Sequence, residues 1–314
     1  MQIRSQTTAH GNARAQLNLG SMYAKVRSAT HDETEAIRTI RMAAEQGDAD
    51  AQNNLGIRYD DGHGVGQDYA EAVHWYRLAA EQGHAHAQFN LGGMYADGLG
   101  VIQDDKEAAQ WYRLAALQGE AAAQFKVGFL CAHRHGVVQD DAEAVRWYLL
   151  AAEQDYADAQ FNLGFMYFSG CGVETSYTEA ARWYRLAADQ NDADSQFNLG
   201  YLHAKGLGVE QDDVEAARWY RLAADQGIAV AQFYLGDVCR NGRGVEQDDV
   251  EAAHWYHLAA EQGYARAQYI LGVMYRAGLG VKQDDTEAVR WHRMAAEQGD
   301  EEANAALKEL DAKW

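Results

Sequence analysis

The sequence repeats itself every 36 residues, and this period constrains the fold more than any other feature of the chain. Eight copies follow one another without a shift of register, opening at Gly11, Gly47, Gly83, Gly119, Asp155, Asn191, Gly227 and Gly263. A ninth, truncated copy opens at Gly299. Such a period is typical of supersecondary units that stack on their neighbours. We therefore expect one elongated domain over residues 11–314, preceded by an N-terminal extension over residues 1–10.

Each copy predicts two helices. In residues 83–118 the apolar residues around Leu91 share one face when the segment is wound at about 100° per residue, and Gly98 then suits a left-handed C-terminal cap. A second amphipathic segment starts after Asp104, whose carboxylate can accept the free N–H groups of a first helical turn, and continues through Leu114. We name the first helix of each copy helix A and the second helix B. One hairpin cannot bury both apolar faces, so neighbours must stack.

A glycine recurs in the middle of every helix A, as at Gly92, although it costs about 1 kcal/mol relative to alanine there. We interpret it as a site where a second helix backbone approaches closely. The charged segment over residues 299–314 is expected to form a C-terminal capping helix. The predicted fold class is thus all-α, an α/α solenoid of about eight 36-residue hairpins closed by a capping helix.

Composition limits the compartment and the partners. The first ten residues contain no apolar stretch of a secretory signal, and no segment reaches the length of a membrane span. Three cysteines in three different copies argue against a disulfide framework. We expect a cytoplasmic protein, or a secreted or periplasmic one if a signal has been removed. A net charge of −20 weighs against nucleic acid, although many of the acids occupy helix-capping positions.

Three recurrent motifs are similar to those of a known repeat family. They are Ala-x-Ala-Gln-Phe-Asn-Leu-Gly-x-Met-Tyr, Gly-x-Gly-Val and Asp-x-x-x-Ala-x-x-Trp-Tyr-x-x-Ala-Ala, and together they resemble the Sel-1-like repeat, a relative of the tetratricopeptide repeat, over residues 11–314. The resemblance implies a right-handed superhelix with helix A on its concave surface. It also implies adaptor or scaffold work in protein assembly, signalling, quality control or bacterial contact with host cells.

The resemblance also carries an enzymatic alternative. Cysteine-rich members of the family have disulfide-linked hairpins and have been described as penicillin-binding or β-lactamase-like. No full copy here has two cysteines, and the chain contains no Ser-x-x-Lys motif, so a cell-wall or β-lactam hydrolase is disfavoured. A third hypothesis, structural self-stacking, is disfavoured by the atypical first and last copies.

Other motifs have simpler interpretations. The tryptophan that recurs in helix B, from Trp75 to Trp291, is expected in the core rather than in a stacking platform. His84-x-His86 and His133-x-His135 lack both helical ligand spacing and a third ligand, so we predict no metal and no cofactor.

The predicted binding surface is a stripe along helix A, formed by positions 3, 7, 10 and 14 of each copy when its opening residue is position 0. Position 10 is aromatic in three consecutive copies, as Phe129, Phe165 and Tyr201, with Phe168 nearby. Exposed aromatic side chains are typical of binding hot spots, and we expect these to anchor a ligand. The alternative is that they pack against adjacent A helices.

Position 7 is asparagine in five copies, at Asn18, Asn54, Asn90, Asn162 and Asn198. An amide offers both a donor and an acceptor, so this ladder can clamp the backbone of a bound peptide. Alternatively, each asparagine bonds the backbone of the neighbouring hairpin and holds the stack. The sequence leaves both interpretations open.

The leading hypothesis is a monomeric, non-enzymatic scaffold that binds a peptide or protein segment in the groove lined by helix A. Acidic side chains near the stripe would select a ligand with basic residues; they are Asp50, Asp60, Asp61, Asp97, Asp158 and Asp194.

Overall fold

The computed structural model describes residues 30–311, with side chains over residues 36–309, and every regular element in that range is an α-helix. The helices are α1 (Thr30–Glu45), α2 (Ala49–Asp61), α3 (Tyr69–Glu81), α4 (Ala85–Asp97), α5 (Asp105–Leu117), α6 (Ala121–His133), α7 (Asp141–Ala152), α8 (Ala157–Ser169), α9 (Tyr177–Asp189), α10 (Ala193–Lys205), α11 (Asp213–Asp225), α12 (Ala229–Asn241), α13 (Asp249–Glu261), α14 (Ala265–Ala277), α15 (Asp285–Glu297) and α16 (Glu301–Asp311). The N-terminal extension, helix A of the first copy and Asn18 lie outside the described residues.

The helices form consecutive hairpins, which confirms the predicted all-α solenoid with a C-terminal helix. The chain comprises two compact units, Met1–Ala159 and Gln160–Trp314. Within each unit, helix A packs against the helix B that follows it and against the helix B of the preceding copy. That all copies behave as one domain stays a prediction.

The predicted helix ends are confirmed. Asp104 precedes α5 with extended backbone, and its Oδ1 accepts hydrogen bonds from the backbone N–H groups of Lys106 at 2.9 Å and Glu107 at 3.2 Å. At the end of α4, Gly98 has φ 68° and donates its N–H to the carbonyl of Met94. Capping therefore limits each helix to about the same length in successive copies.

The glycine in the middle of helix A makes room for an aromatic ring, which corrects the expectation of a close helix backbone. A Cβ on Gly92 would lie 2.8 Å from Cδ1 of Tyr112, in helix B of the same hairpin. Close backbone approach occurs instead in the hairpin loop. There a Cβ on Gly100 would lie 2.3 Å from the carbonyl oxygen of Tyr69, which opens helix B of the preceding copy.

The core consists of the small and aromatic residues that recur in each copy. The recurrent tryptophan is buried as predicted in four copies, at Trp183, Trp219, Trp255 and Trp291. It is half-buried in three copies, at Trp75, Trp111 and Trp147. Leu114, placed with the apolar face of helix B by its spacing, is instead 45% exposed. The same position is exposed in several copies, at Met42, Leu150, Leu186 and Leu222. Helix B therefore presents a row of apolar side chains outward.

A buried glutamine in helix A connects three helices. Gln232 in α12 donates its Nε2 to the carbonyl of Ala224, at the end of α11, at 3.2 Å. Its Oε1 accepts a hydrogen bond from Nε2 of Gln262, at the end of α13, at 2.8 Å. The same pair of bonds recurs around Gln52, Gln88, Gln124, Gln196 and Gln268. We call this set the glutamine ladder.

Candidate functional site

The stripe on helix A differs in exposure from residue to residue. Phe165 is 49% exposed and Phe129 is 37% exposed. Phe168 and Tyr201 are half-buried. The four predicted anchors therefore do not form one uniform surface, and the two exposed phenylalanines lie in different compact units.

In the second unit, Phe168 and Tyr201 pack against each other. The Phe168 ring in α8 lies edge-on to the Tyr201 ring in α10, with centroids 6.4 Å apart, and also contacts Tyr177 at 5.5 Å. The Lys205 ammonium lies over the Tyr201 ring at 5.9 Å. Packing between neighbouring hairpins thus explains the burial of the Phe168 ring and the partial burial of the Tyr201 ring. The Phe165 ring stays exposed.

In the first unit, Phe129 stacks with the two histidines that follow it. Its ring centroid is 4.1 Å from His133, with 23° between the planes, and 6.1 Å from His135, with 8° between the planes. Nδ1 of His133 also lies 3.0 Å from the carbonyl oxygen of Phe129. This pair of histidines extends an aromatic surface, a role that the sequence analysis did not assign. The spacing of four residues between Phe129 and His133 could have indicated this contact, because it places the two side chains next to each other on a helix.

The asparagines of the stripe do not bond the neighbouring hairpin's backbone at the positions that can be followed. Nδ2 of Asn90 donates to Oδ1 of Asn53 in the preceding copy at 3.1 Å. Asn54 and Asn198 are half-buried, and their side-chain amides form no hydrogen bond with another described residue. Asn162 is likewise half-buried. The glutamine ladder supplies the side-chain bonds to the backbone of the neighbouring hairpin. A peptide-clamping role for the asparagines stays a prediction.

Asp50 and Asp60 each contact another side chain of the protein. The Asp50 carboxylate lies 3.0 Å from Nε2 of His84, whose Nδ1 accepts the N–H of Ala87 and so caps α4. Asp60 accepts a hydrogen bond from the Tyr76 hydroxyl at 3.2 Å.

The other four acids are exposed: Asp61, Asp97, Asp158 and Asp194. Asp61 and Asp97 pair with no cation among the described residues. Partial burial raises the pKa of Asp194, and the Asp192 carboxylate raises it further. The exposed acids therefore surround the stripe with negative charge, most strongly at the ends of α2 and α4.

A cavity of about 160 Å³ lies on the same stripe in the second unit. Three stripe residues line it, Lys205 from α10 and Tyr234 and Asp237 from α12, together with Tyr220 from α11 and Arg243 from a hairpin loop. The sequence analysis missed this site. Its signal was the replacement of the stripe asparagine by tyrosine in this copy.

Between residues 36 and 309 no three His, Cys, Asp or Glu side chains cluster as a metal site would require. None of the helices α1–α16 has the length and apolar character needed to cross a membrane.

Comparison with known proteins identifies the family. The family model for the Sel1 repeat matches eight consecutive segments, 13–48, 49–84, 85–120, 121–156, 157–192, 193–228, 229–264 and 265–300. These segments have the period found here, displaced by two residues. No curated protein matches the sequence.

Two solved structures are similar along nearly the whole chain. The first is c5321 of uropathogenic Escherichia coli, described as a protective antigen with an SLR fold, at 40% identity and a TM-score of 0.92. The match covers 98% of this chain and 66% of c5321. The second is a Sel1 repeat protein from Oxalobacter formigenes, at 36% identity and a TM-score of 0.71, covering 99% of this chain and 90% of that one. The repeat pattern, the fold and these matches agree: the chain belongs to the Sel1 repeat family.

Proposed function

We propose that this protein is a non-enzymatic interaction scaffold that binds an extended peptide or protein segment along the helix A stripe. Sel1 repeat proteins are helical scaffolds that typically bind proteins and are generally non-catalytic. The observation that carries the proposal is the exposure of Phe165, a large ring on an otherwise well-packed helix. Exposed aromatic residues of this kind are favoured anchors for a partner.

The polar residues of the stripe complement such an anchor. The unbonded amides of Asn54 and Asn198 can each donate to and accept from the main chain of a ligand. Exposed acids at Asp61, Asp97 and Asp158 favour ligand segments with basic side chains. Because this protein has a net charge of −20, its partner is a protein or peptide rather than a nucleic acid. The protein binds this partner as a monomer.

A random dodecapeptide display library, selected on the immobilised full chain, tests the proposal. We expect Phe165→Ala with Tyr201→Ala to abolish retention of the selected peptides, because the variant removes the exposed ring of Phe165 and the half-buried ring at the same position of the next copy. Circular dichroism and thermal unfolding establish that the variant remains folded. Retention at the wild-type level by a folded variant would contradict the assignment of the stripe.

A matched control comes from helix B of the same two copies. Leu186 and Leu222 are exposed apolar residues on α9 and α11, so Leu186→Ala with Leu222→Ala removes a similar amount of apolar surface from the other helix of each hairpin. We expect peptide retention to be unchanged. Loss of retention in this control alone would assign binding to the outer row of leucines instead.

A further inference from the structure

The cavity between α10, α11 and α12 is built from aromatic walls and charged rims. The rings of Tyr220 and Tyr234 lie 5.4 Å apart and form its walls. Lys205 and Arg243 contribute positive charge, and Asp213 and Asp237 contribute negative charge. A volume of about 160 Å³ holds several water molecules or one side chain of moderate size.

The hydroxyl of Tyr220 has an unused capacity to donate. Tyr220 is 1% exposed, and its hydroxyl forms no hydrogen bond with another described residue. The equivalent tyrosine of the next copy, Tyr256, donates to Asp237 at 3.0 Å. The pKa of Tyr220 is raised first by burial, and the charges of Arg243 and Asp213 also act on it. The hydroxyls of the equivalent Tyr76 and Tyr256 reach helix A of their own hairpin. In this hairpin helix A is α10, which lines the cavity through Ala204 and Lys205 beside Tyr220.

The charges around the cavity are unevenly satisfied. The Asp237 carboxylate accepts from Tyr256 through Oδ1 and pairs with Arg243 through Oδ2 at 3.2 Å. Lys205 has no carboxylate partner among the described residues, and its ammonium lies over the Tyr201 ring. The lining groups without a partner among the described residues are therefore two donors, the Lys205 ammonium and the Tyr220 hydroxyl, and one acceptor, the Asp213 carboxylate. The carboxylates of Asp213 and Asp237 nevertheless disfavour a multiply charged anion such as phosphate.

We propose that this cavity binds a single carboxylate group, through the Lys205 ammonium and the Tyr220 hydroxyl, with the attached carbon chain between the rings of Tyr220 and Tyr234. A carboxylate matches one cation and one neutral donor, and charge-assisted hydrogen bonds of this type are short and strong. This inference rests on the proposed function, because the carboxylate would belong to the bound segment. The source is either a glutamate side chain or a chain terminus.

Three small probes separate these sources on the full-length protein: N-acetylphenylalanine with a free carboxylate, N-acetylglutamate α-amide, and N-acetylphenylalanine amide. Calorimetry and NMR of ¹³C-labelled tyrosine rings report binding and its place. We expect at least one carboxylate probe to bind saturably at millimolar concentration and to shift the Tyr220 and Tyr234 signals. The first two probes identify terminal and side-chain carboxylates respectively. The amide should leave both signals unchanged.

Substitutions then test the two donors. We expect Lys205→Met and Tyr220→Phe each to weaken binding of the carboxylate probe about tenfold. Tyr184→Phe is the matched control, since Tyr184 holds the same position in the preceding copy outside this cavity, and it should leave affinity unchanged.

The proposal is overturned if the amide binds as well as the carboxylates, if inorganic phosphate binds more tightly, or if neither carboxylate probe shifts Tyr220 and Tyr234. Unaltered affinity in both Lys205→Met and Tyr220→Phe overturns it as well. If the probes do not bind but peptide retention still depends on Phe165 and Tyr201, only the proposal for the cavity is contradicted. If the probes bind but peptide retention does not depend on Phe165 and Tyr201, only the proposal for the stripe is contradicted.

Discussion

At the scale of the residue, His292 shows how one substitution changes the chemistry of a repeated position. Tyrosine occupies this position in the six preceding copies, and its ring covers the helix A glycine. His292 is 0% exposed and lies against Gly272, and neither of its ring nitrogens has a hydrogen-bond partner. Burial lowers the pKa of His292, nearby Arg276 lowers it further, and Asp300 acts in the opposite direction.

His292 is expected to make the protein sensitive to acid. Because its pKa is lower in the folded state than in the unfolded chain, unfolding takes up a proton as the pH falls below the unfolded value of about 6.5. The free energy of unfolding should therefore decrease from neutral pH toward pH 5. We expect His292→Tyr to reduce this decrease, measured as the difference between the Tm values at pH 7.5 and pH 5.

An exposed histidine supplies the control for this measurement. His254 lies on the solvent side of α13, so His254→Gln should reproduce the wild-type change of Tm with pH. An unchanged pH dependence in His292→Tyr would show that other groups cause the acid sensitivity.

The three cysteines are expected to differ in reactivity. Burial, followed by the Glu143 carboxylate, raises the pKa of Cys131 to about 11, and burial, followed by the Glu251 carboxylate, raises that of Cys239 to about 11. Cys171 is exposed. Since the thiolate is the nucleophile, titration with a disulfide reagent at pH 8 should modify Cys171 rapidly and the other two only on unfolding. Cys171→Ser should abolish the fast phase. Three equivalent fast reactions would contradict the burial of Cys131 and Cys239.

At the scale of the element, the partner of a recurrent arginine in helix B depends on the residue that the next helix A places beside it. Arg77 donates to the hydroxyl of Tyr95 at 2.6 Å. Where the equivalent residue is Cys239, the preceding arginine, Arg221, instead pairs with Glu251 at 2.8 Å. Glu251 also accepts the indole N–H of Trp255 at 3.3 Å. Beside a short side chain, the arginine thus pairs with an acid in the first turn of the next helix B. Helix B also contains salt bridges of its own, as between Glu179 and Arg182.

The glutamine ladder should contribute strongly to stability. Gln232→Leu keeps the size of the side chain but removes both hydrogen bonds of this rung, to the carbonyl of Ala224 and from the amide of Gln262. We expect this to lower the free energy of unfolding by about 2–3 kcal/mol, measured by urea denaturation. Asn198→Ala, on the neighbouring stripe, serves as the comparison and should cost far less, because its amide bonds no described residue. Equal losses in the two variants would assign the stack-holding role to both positions.

At the scale of the whole molecule, the sequence was sufficient for the hairpins and insufficient for the contacts between them. The period, the Asp104-type caps and the Gly98-type helix ends follow from local rules of spacing and backbone geometry, and they predicted the solenoid. The reason for the glycine in helix A does not follow from local rules, because a tyrosine ring and a helix backbone both require the space that a side chain would fill. Only the three-dimensional arrangement distinguishes them.

The candidate site depends even more on contacts between copies. Pairs such as Asp50 with His84 and Phe168 with Tyr201 join positions 33–34 residues apart, and the period alone does not reveal which side chains meet. The cavity beside Lys205 likewise needs residues from three helices. Residue type identified the exposed Phe165 correctly as a surface aromatic, whereas it could not show that Phe168 is used in packing.

The glutamine ladder also bears on how the length of such a protein can change. Each rung joins a helix A to the helix B on either side of it, and the bonding groups are the same in successive copies. Loss or duplication of one whole period within a unit therefore brings equivalent donors and acceptors together at the new junction. A gene encoding this array can grow or shrink by 36 codons without inventing an interface, while each rearrangement changes which stripe residues become neighbours.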